Sequence, residues 1–271
     1  MIFQSENVRS LVIYWDVSPD IFSIGPVTIR WYGLFFALSF LVGYQIMLVI
    51  FNKENKSEQD LNDLVWVMIL GTVVGARLGH CFFYNPSFYL SHPLEILQIW
   101  KGGLASHGAA VGIMIALYLY VRNRKDMAYL WIFDRVVITV ALAGFFIRMG
   151  NLFNSEIIGK PTNGSWGFVF TSVDMIPRHP AQLYESIAYL LIFFLIFFFY
   201  FKKQGKFKHG LIFGIFLVSV FSFRFFVEFF KEVQSPFEAE MFLNMGQILS
   251  IPLILLGIYL FFRKDNKVLK I

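Results

Sequence analysis

Seven long apolar runs constrain this chain more than any other feature of its sequence. They can be drawn at about 27–51, 63–83, 104–121, 128–149, 186–201, 209–229 and 246–263. A bilayer core takes roughly 20 apolar residues of helix to cross. The chain is 57% hydrophobic and 19% aromatic over 271 residues, more apolar surface than a soluble domain of this size can hide. The expectation is an all-α polytopic integral membrane protein with seven transmembrane helices, forming a single membrane domain over residues 1–271. A net charge of +5 is then to be read against the membrane, and no nucleic-acid partner is expected. Cys81 is the only cysteine, which excludes an intramolecular disulfide and a cysteine metal cluster. Residues 1–26 carry Glu6, Arg9, Asp16 and Asp20 and do not read as a cleaved signal peptide.

Lysine and arginine in the connections set the orientation, because basic loops stay in the cytoplasm. One alternate set holds thirteen: Lys53 and Lys56, three from Arg122 to Lys125, four from Lys202 to Lys208, and four from Arg263 to Lys270. The other set holds five: Arg9, Lys101, Lys160, Arg178 and Lys231. The amino terminus is expected outside and the carboxyl terminus in the cytoplasm. The longest internal connection, residues 151–185, is expected as a periplasmic loop or cap between helices 4 and 5, with turn-forming Pro-Thr-Asn-Gly and Arg-His-Pro.

Five further arginines, at 30, 77, 135, 148 and 224, fall within or at the ends of these runs. Ionisable groups there are costly and point to function. With the orientation above, Tyr32 lies near the outer face and Arg77 about 10 Å below the outer end of its helix, at 1.5 Å per residue. His107, Arg148, Arg224 and Glu228 fall toward the same leaflet. Asp134 and Arg135 sit at the opposite end, where a simple ion pair between them is the expectation.

The segment FFIRMGNLFNSEIIG (145–159) closes the fourth run. Arg148 and Asn151 share a helical face at i, i+3, and Asn154 extends the row. Gly150 is a place for the helix to loosen. Arg148 alone reads equally as an interfacial anchor, but Asn151, Asn154 and Glu156 supply donors and acceptors that a plain helix end does not need. Arg224 and Glu228, at i, i+4 in FRFFVEFF, read either as a mutual ion pair or as part of a phosphate clamp with Arg148, since guanidinium binds phosphate in a bidentate fork. His107, between Ser106 and Gly108, reads either as a hydrogen-bonded structural residue or as a general base. His80, His92 and His179 lack metal-ligand spacing, and no metal is expected.

These stretches together resemble the prolipoprotein diacylglyceryl transferase family of bacterial inner-membrane enzymes. The resemblance is carried by IFSIGPVTIRWYGL (21–34), GARLGHCFFYNP (75–86), GGLASHG (102–108), RMGNLFNSEIIGK (148–160), RHPAQLYE (178–185), FRFFVEFF (223–230) and MGQILSIP (245–252), in the family's order. It implies transfer of diacylglyceryl from phosphatidylglycerol to the thiol of a lipobox cysteine in a prolipoprotein signal peptide, with release of glycerol phosphate. It also implies a multi-pass protein of the bacterial inner membrane, with the active site facing the outer leaflet and no cofactor. By position, Arg148 and Arg224 bind the lipid phosphate, Glu228 pairs with the second arginine, and Tyr32 and His107 stand in or near catalysis. Asn151, Asn154, Glu156 and Gly159 belong to the signature segment, and Arg77 is placed with the substrate-binding groups. Ile147 and Ser155 stand where the family usually has glycine, and Leu152 where it has phenylalanine.

The implied chemistry is direct attack of the substrate thiolate on the glycerol carbon that bears the phosphate ester. The arginines stabilise the departing phosphate, and Cys81 is inert. The rival reading is an outer-leaflet lipid or small-anion transporter using the same arginines, and a third is a structural membrane subunit.

Overall fold

Long runs of Leu, Ile, Val and Phe favour helix once they leave water, because a helix satisfies its own backbone. The computed structural model describes residues 11–25, 27–232, 238 and 241–264. Arg9, Lys267 and Lys270, counted in the basic bias, lie outside the described residues, as does Pro26 of the first matching stretch. The chain is mostly helical: α1 (Trp31–Lys53), α2 (Glu58–Tyr84), the short α3 (Pro86–Ser91), α4 (Ser106–Arg122), α5 (Tyr129–Phe153), α6 (Ala181–Lys203), α7 (Leu211–Val227) and α8 (Met245–Phe262). Six helices are long and apolar enough to cross a membrane, and this is the architecture of a polytopic membrane protein. The third run became α4, whose 17 residues make it a shorter apolar helix.

The all-α expectation is corrected in the connections. Four short strands form there: β1 (Leu11–Trp15), β2 (Asp20–Ile24), β3 (Val27–Arg30) and β4 (Trp166–Phe170). The β2–β3 hairpin replaces the first residues assigned to the first apolar run, so α1 begins at Trp31. β1 and β4 pair in parallel, with Leu11 opposite Trp166 and Trp15 opposite Phe170. Both are rich in β-branched and aromatic residues, which fit a pleated surface. The 151–185 connection is shorter than drawn, because α5 continues to Phe153 and α6 starts at Ala181.

The described residues divide into two compact units, one from residues 11–45 and 136–264 and one from residues 46–135. In the second unit, α2 and α4 meet through small residues four apart. A Cβ on Gly75 would come within 2.7 Å of the Gly112 Cα, and one on Gly79 within 2.6 Å of the Gly108 Cα. Without a hydrophobic drive between helices in lipid, such close backbone approach supplies the packing. Gly112→Leu should therefore lower the thermal stability of the purified protein by at least about 1–3 kcal/mol through overpacking. An unchanged melting temperature would show that these helices have room to separate.

The far ends of this unit are pinned by ion pairs. Ser57 caps α2, its hydroxyl accepting from the Asp60 N–H at 3.0 Å. Arg124 donates to Asp60 (2.9 Å) and Asp63 (2.6 Å) and lies over the Tyr120 ring. The expected Asp134–Arg135 pair forms, but Arg135 has a nearer partner. Arg135, 2% exposed, puts its Nη2 at 2.9 and 3.0 Å from the two carboxylate oxygens of Glu54, while Asp134 is 3.8 Å away. The Glu54 carboxylate accepts from both Nε and Nη2 of the fork, the stronger geometry. In the first unit, α7 packs on α8 through Gly214 and Gly257. The ring of Phe153 lies against Trp15, Trp31 and Phe35, tying the end of α5 to β1 and the start of α1.

Candidate active site

Most of the residues singled out from the sequence fall in the first unit, around the end of α5. Arg148 and Asn151 do share a face, and the Arg148 guanidinium donates to Asn151 Oδ1 at 3.1 Å. Asn151 and Asn154 each donate an amide N–H to one oxygen of Glu156, at 3.2 and 3.1 Å. The three polar residues therefore form one hydrogen-bonded set at the mouth of the helix, with Glu156 exposed. Gly150 does not loosen the helix. A Cβ there would come within 2.7 Å of Tyr32 Cδ2, so glycine lets the Tyr32 ring lie on the α5 backbone. Tyr32 is also within electrostatic range of Glu156 and Arg148.

Ser155 and Ile157 follow with φ of +53° and +55°. That is the left-handed region, where a Cβ meets the following carbonyl. It explains why glycine suits position 155 in the family that this sequence resembles. Gly159 is a packing position of another kind. Its N–H donates to the His179 carbonyl at 2.9 Å, and a Cβ would come within 2.8 Å of the Phe230 carbonyl. It forms an antiparallel bridge with Lys231.

Two residues not nominated from the sequence complete the electrostatics. Glu185, on the first turns of α6 and fully buried, sits 3.1 Å from Arg148 Nε. Lys231 lies between two carboxylates, 3.2 Å from Glu185 and 3.0 Å from Glu228. Glu228 also accepts from Asn244 Nδ2 at 3.1 Å, and its carboxylate rests against Gly246 in the first turn of α8. The positive end of that helix favours an anion there. Asn244 itself caps α8 in a reciprocal pair with Gln247.

The Arg224–Glu228 pair is corrected to a loose one, 3.9 Å apart, because Lys231 and Asn244 hold the carboxylate instead. The Arg224 side chain is 35% exposed and donates no hydrogen bond among the described residues. Its fork is open to an anion. Both arginines act electrostatically on the Tyr189 hydroxyl, so they belong to one neighbourhood. An apolar pocket of about 390 Å³ is lined by Tyr184, Ile187 and Leu191 of α6 and by Phe223, Phe226 and Phe230.

Arg77 and His107 lie in the second unit. Arg77, expected among the substrate-binding groups, is engaged by backbone carbonyls. The residue is 4% exposed, and its guanidinium donates to the carbonyls of Glu95 (2.6 Å), Ile96 (2.9 Å), Gly102 (2.6 Å) and Gly103 (3.2 Å). Four backbone acceptors occupy the fork, and its work is to order the connection from α3 to α4. His107 is exposed on the first turn of α4, edge-on to Phe83 at 5.2 Å and beside Tyr84. No hydrogen bond orients its ring among the described residues. Among the described residues outside the helices, Arg178 donates to Asp174 and Glu232, and its bond holds the Asp174 carboxyl below the usual range. His179 packs against Trp166 and Phe230, and burial pushes its pKa down.

Comparison with known proteins settles the family. A family model described as prolipoprotein diacylglyceryl transferase matches residues 19–263. The chain belongs to that family. It is 53% identical over 254 residues to the phosphatidylglycerol–prolipoprotein diacylglyceryl transferase of Chloroherpeton thalassium, covering 94% of this chain and 95% of that one. Proteins with the same name from Tolumonas auensis and Rickettsia felis are 46% and 38% identical, covering 92% and 93% of this chain and 96% and 98% of their own. The family is one of transferases, which makes the clustered arginines candidates for chemistry rather than for passage of an ion.

Proposed function

We propose that this chain transfers the diacylglyceryl group of phosphatidylglycerol to the thiol of a lipobox cysteine in prolipoprotein signal peptides, releasing glycerol phosphate. One observation carries the placement of the chemistry. Arg148 and Arg224 lie in one unit, Arg148 braced by the buried Glu185 and the Arg224 fork open, and the same helices α6 and α7 line an apolar pocket. A phosphate ester with acyl chains needs that combination of a cationic clamp and an apolar recess.

In this reading the phosphate lies between the two guanidiniums. The thiolate sulfur attacks the glycerol carbon that bears the ester oxygen. A C–S bond forms as the C–O bond breaks, and glycerol phosphate departs with its charge held by Arg148 and Arg224. Such stabilisation is strongest where charge develops in the transition state. Asn151, Asn154 and Glu156 present amide and carboxylate groups to the hydroxyls of the headgroup, and Gly159 keeps the segment close-packed. Tyr32 lines the same mouth. Glu228 steadies the clamp through Lys231. His107 is the candidate base for the thiol proton, on the resemblance alone. Arg77 orders its own unit rather than touching substrate. The chain is placed in the bacterial inner membrane with seven crossings, the amino terminus outside, the carboxyl terminus in the cytoplasm and the active site toward the outer leaflet. The thirteen-to-five basic bias supports that orientation.

Incubating the purified protein with phosphatidylglycerol and a lipobox peptide should raise the peptide mass by one diacylglyceryl group. The same peptide with serine for cysteine should stay unmodified. Modification of both, or of neither, would remove the thiol from the reaction.

A further inference from the structure

Lys231 takes no part in the assignments above beyond bracing Glu228, yet it occupies the centre of the charge cluster. Its side chain is 2% exposed. The backbone on either side is pinned, with Lys160 N–H donating to the Phe230 carbonyl at 2.8 Å and Gly159 bridging to Lys231. The ammonium is held between Glu185 Oε1 at 3.2 Å and Glu228 Oε1 at 3.0 Å. Glu185 turns its other oxygen, Oε2, to Arg148 at 3.1 Å, while Arg224 approaches the same Glu228 oxygen as Lys231, at the longer 3.9 Å. The order is cation, anion, cation, anion, cation, with one positive charge in excess.

Removing the central charge changes what the outer two can do. Two buried carboxylates would then face each other without a counter-charge, a costly arrangement in a low-dielectric site. Each would be neutralised by its own arginine, and no excess positive charge would be left for an incoming phosphate. A lysine suits the position because its ammonium is a compact point charge on an apolar stem, able to bond two acceptors at once.

We propose that Lys231 is a positioning residue of the transfer reaction. By neutralising Glu185 Oε1 and outcompeting Arg224 for Glu228 Oε1, it leaves positive charge on Arg148 and Arg224 uncompensated for the lipid phosphate. This rests on the reading of those two arginines as the phosphate clamp.

The test compares Lys231→Arg with Lys231→Gln, using phosphatidylglycerol in mixed micelles and a lipobox peptide, with rates expressed per folded molecule. Lys231→Arg keeps the charge and should stay within about tenfold of wild type. Lys231→Gln keeps a donor without the charge and should lose about a hundredfold, mostly in kcat, because the phosphate charge develops in the transition state. Wild-type turnover per folded molecule in Lys231→Gln, or equal losses in both variants, would overturn the proposal. If Lys231→Gln does not accumulate, Lys231→Met/Glu228→Gln removes one charge of each sign and should restore accumulation. Failure of that double variant to accumulate would show that charge balance is not what Lys231 supplies. Arg148→Lys, run alongside, separates the two readings. If it retains transfer, the clamp itself is wrong; if it is inactive while Lys231→Gln is not, only the role of Lys231 falls.

Discussion

Arg148→Lys should nearly abolish diacylglyceryl transfer at normal membrane abundance. Arg148 Nε faces the Glu185 carboxylate at 3.1 Å and a terminal N–H reaches Asn151 at 3.1 Å, which aims the rest of the planar fork. A lysine can replace the ion pair or the amide contact but cannot present two parallel donors to a phosphate. Loss of one charge-assisted contact to a departing phosphate removes a few kcal/mol of transition-state stabilisation, on the order of a hundredfold in rate or more. Arg135→Lys is the comparison. Its fork serves Glu54 in the other unit, so it should lower thermal stability while leaving turnover per folded molecule close to wild type. Equal, mild effects on turnover at both positions would make Arg148 an interfacial anchor.

Glu185→Gln should have the second large effect, and it should act on folding as well as on rate. Glu185 is fully buried and answers two cations, Arg148 and Lys231. A neutral amide of the same shape leaves both without their shared counter-charge. Removing one partner from a buried ion pair costs about 3–5 kcal/mol. The expected result is a strongly lowered melting temperature and little transfer from the molecules that fold. Thermal unfolding of the purified variant checks the first and peptide mass the second. Wild-type stability would show that the two cations find other anions.

The long helices were legible because each is a predominantly apolar run, and α8 begins and ends within a residue of where composition placed it. The strands were not. β1 and β4 pair across some 155 residues of chain, and no local pattern announces such a partner. The same limit applies inside the site. Arg148 with Asn151 is a local pair read from helical spacing, whereas Arg148 with Glu185 joins two helices and Arg135 with Glu54 joins α5 to the turn after α1. Glu185 stood in the quoted stretch RHPAQLYE and Lys231 was counted as a loop charge. Their signal was present in the sequence, as an acid and a base beside intensely apolar runs, but their burial was not. At Arg224 and Glu228 the i, i+4 spacing gave the pair but not its looseness, since the same oxygen lies closer to Lys231. A transporter would carry polar groups onward to the opposite helix ends. Those found there in the second unit, Glu54, Asp60, Asp63, Arg124 and Arg135, are engaged with one another.

The central claim is that the phosphate departs from the carbon that the substrate sulfur attacks. The direct measurement is one incubation of the wild-type protein with a lipobox peptide and phosphatidylglycerol labelled in both glycerol units, in which released glycerol phosphate and thioether-modified peptide are counted together. The account predicts one glycerol phosphate for every modified peptide. Lipid consumed without modified peptide, or peptide modified without release of glycerol phosphate, would contradict it.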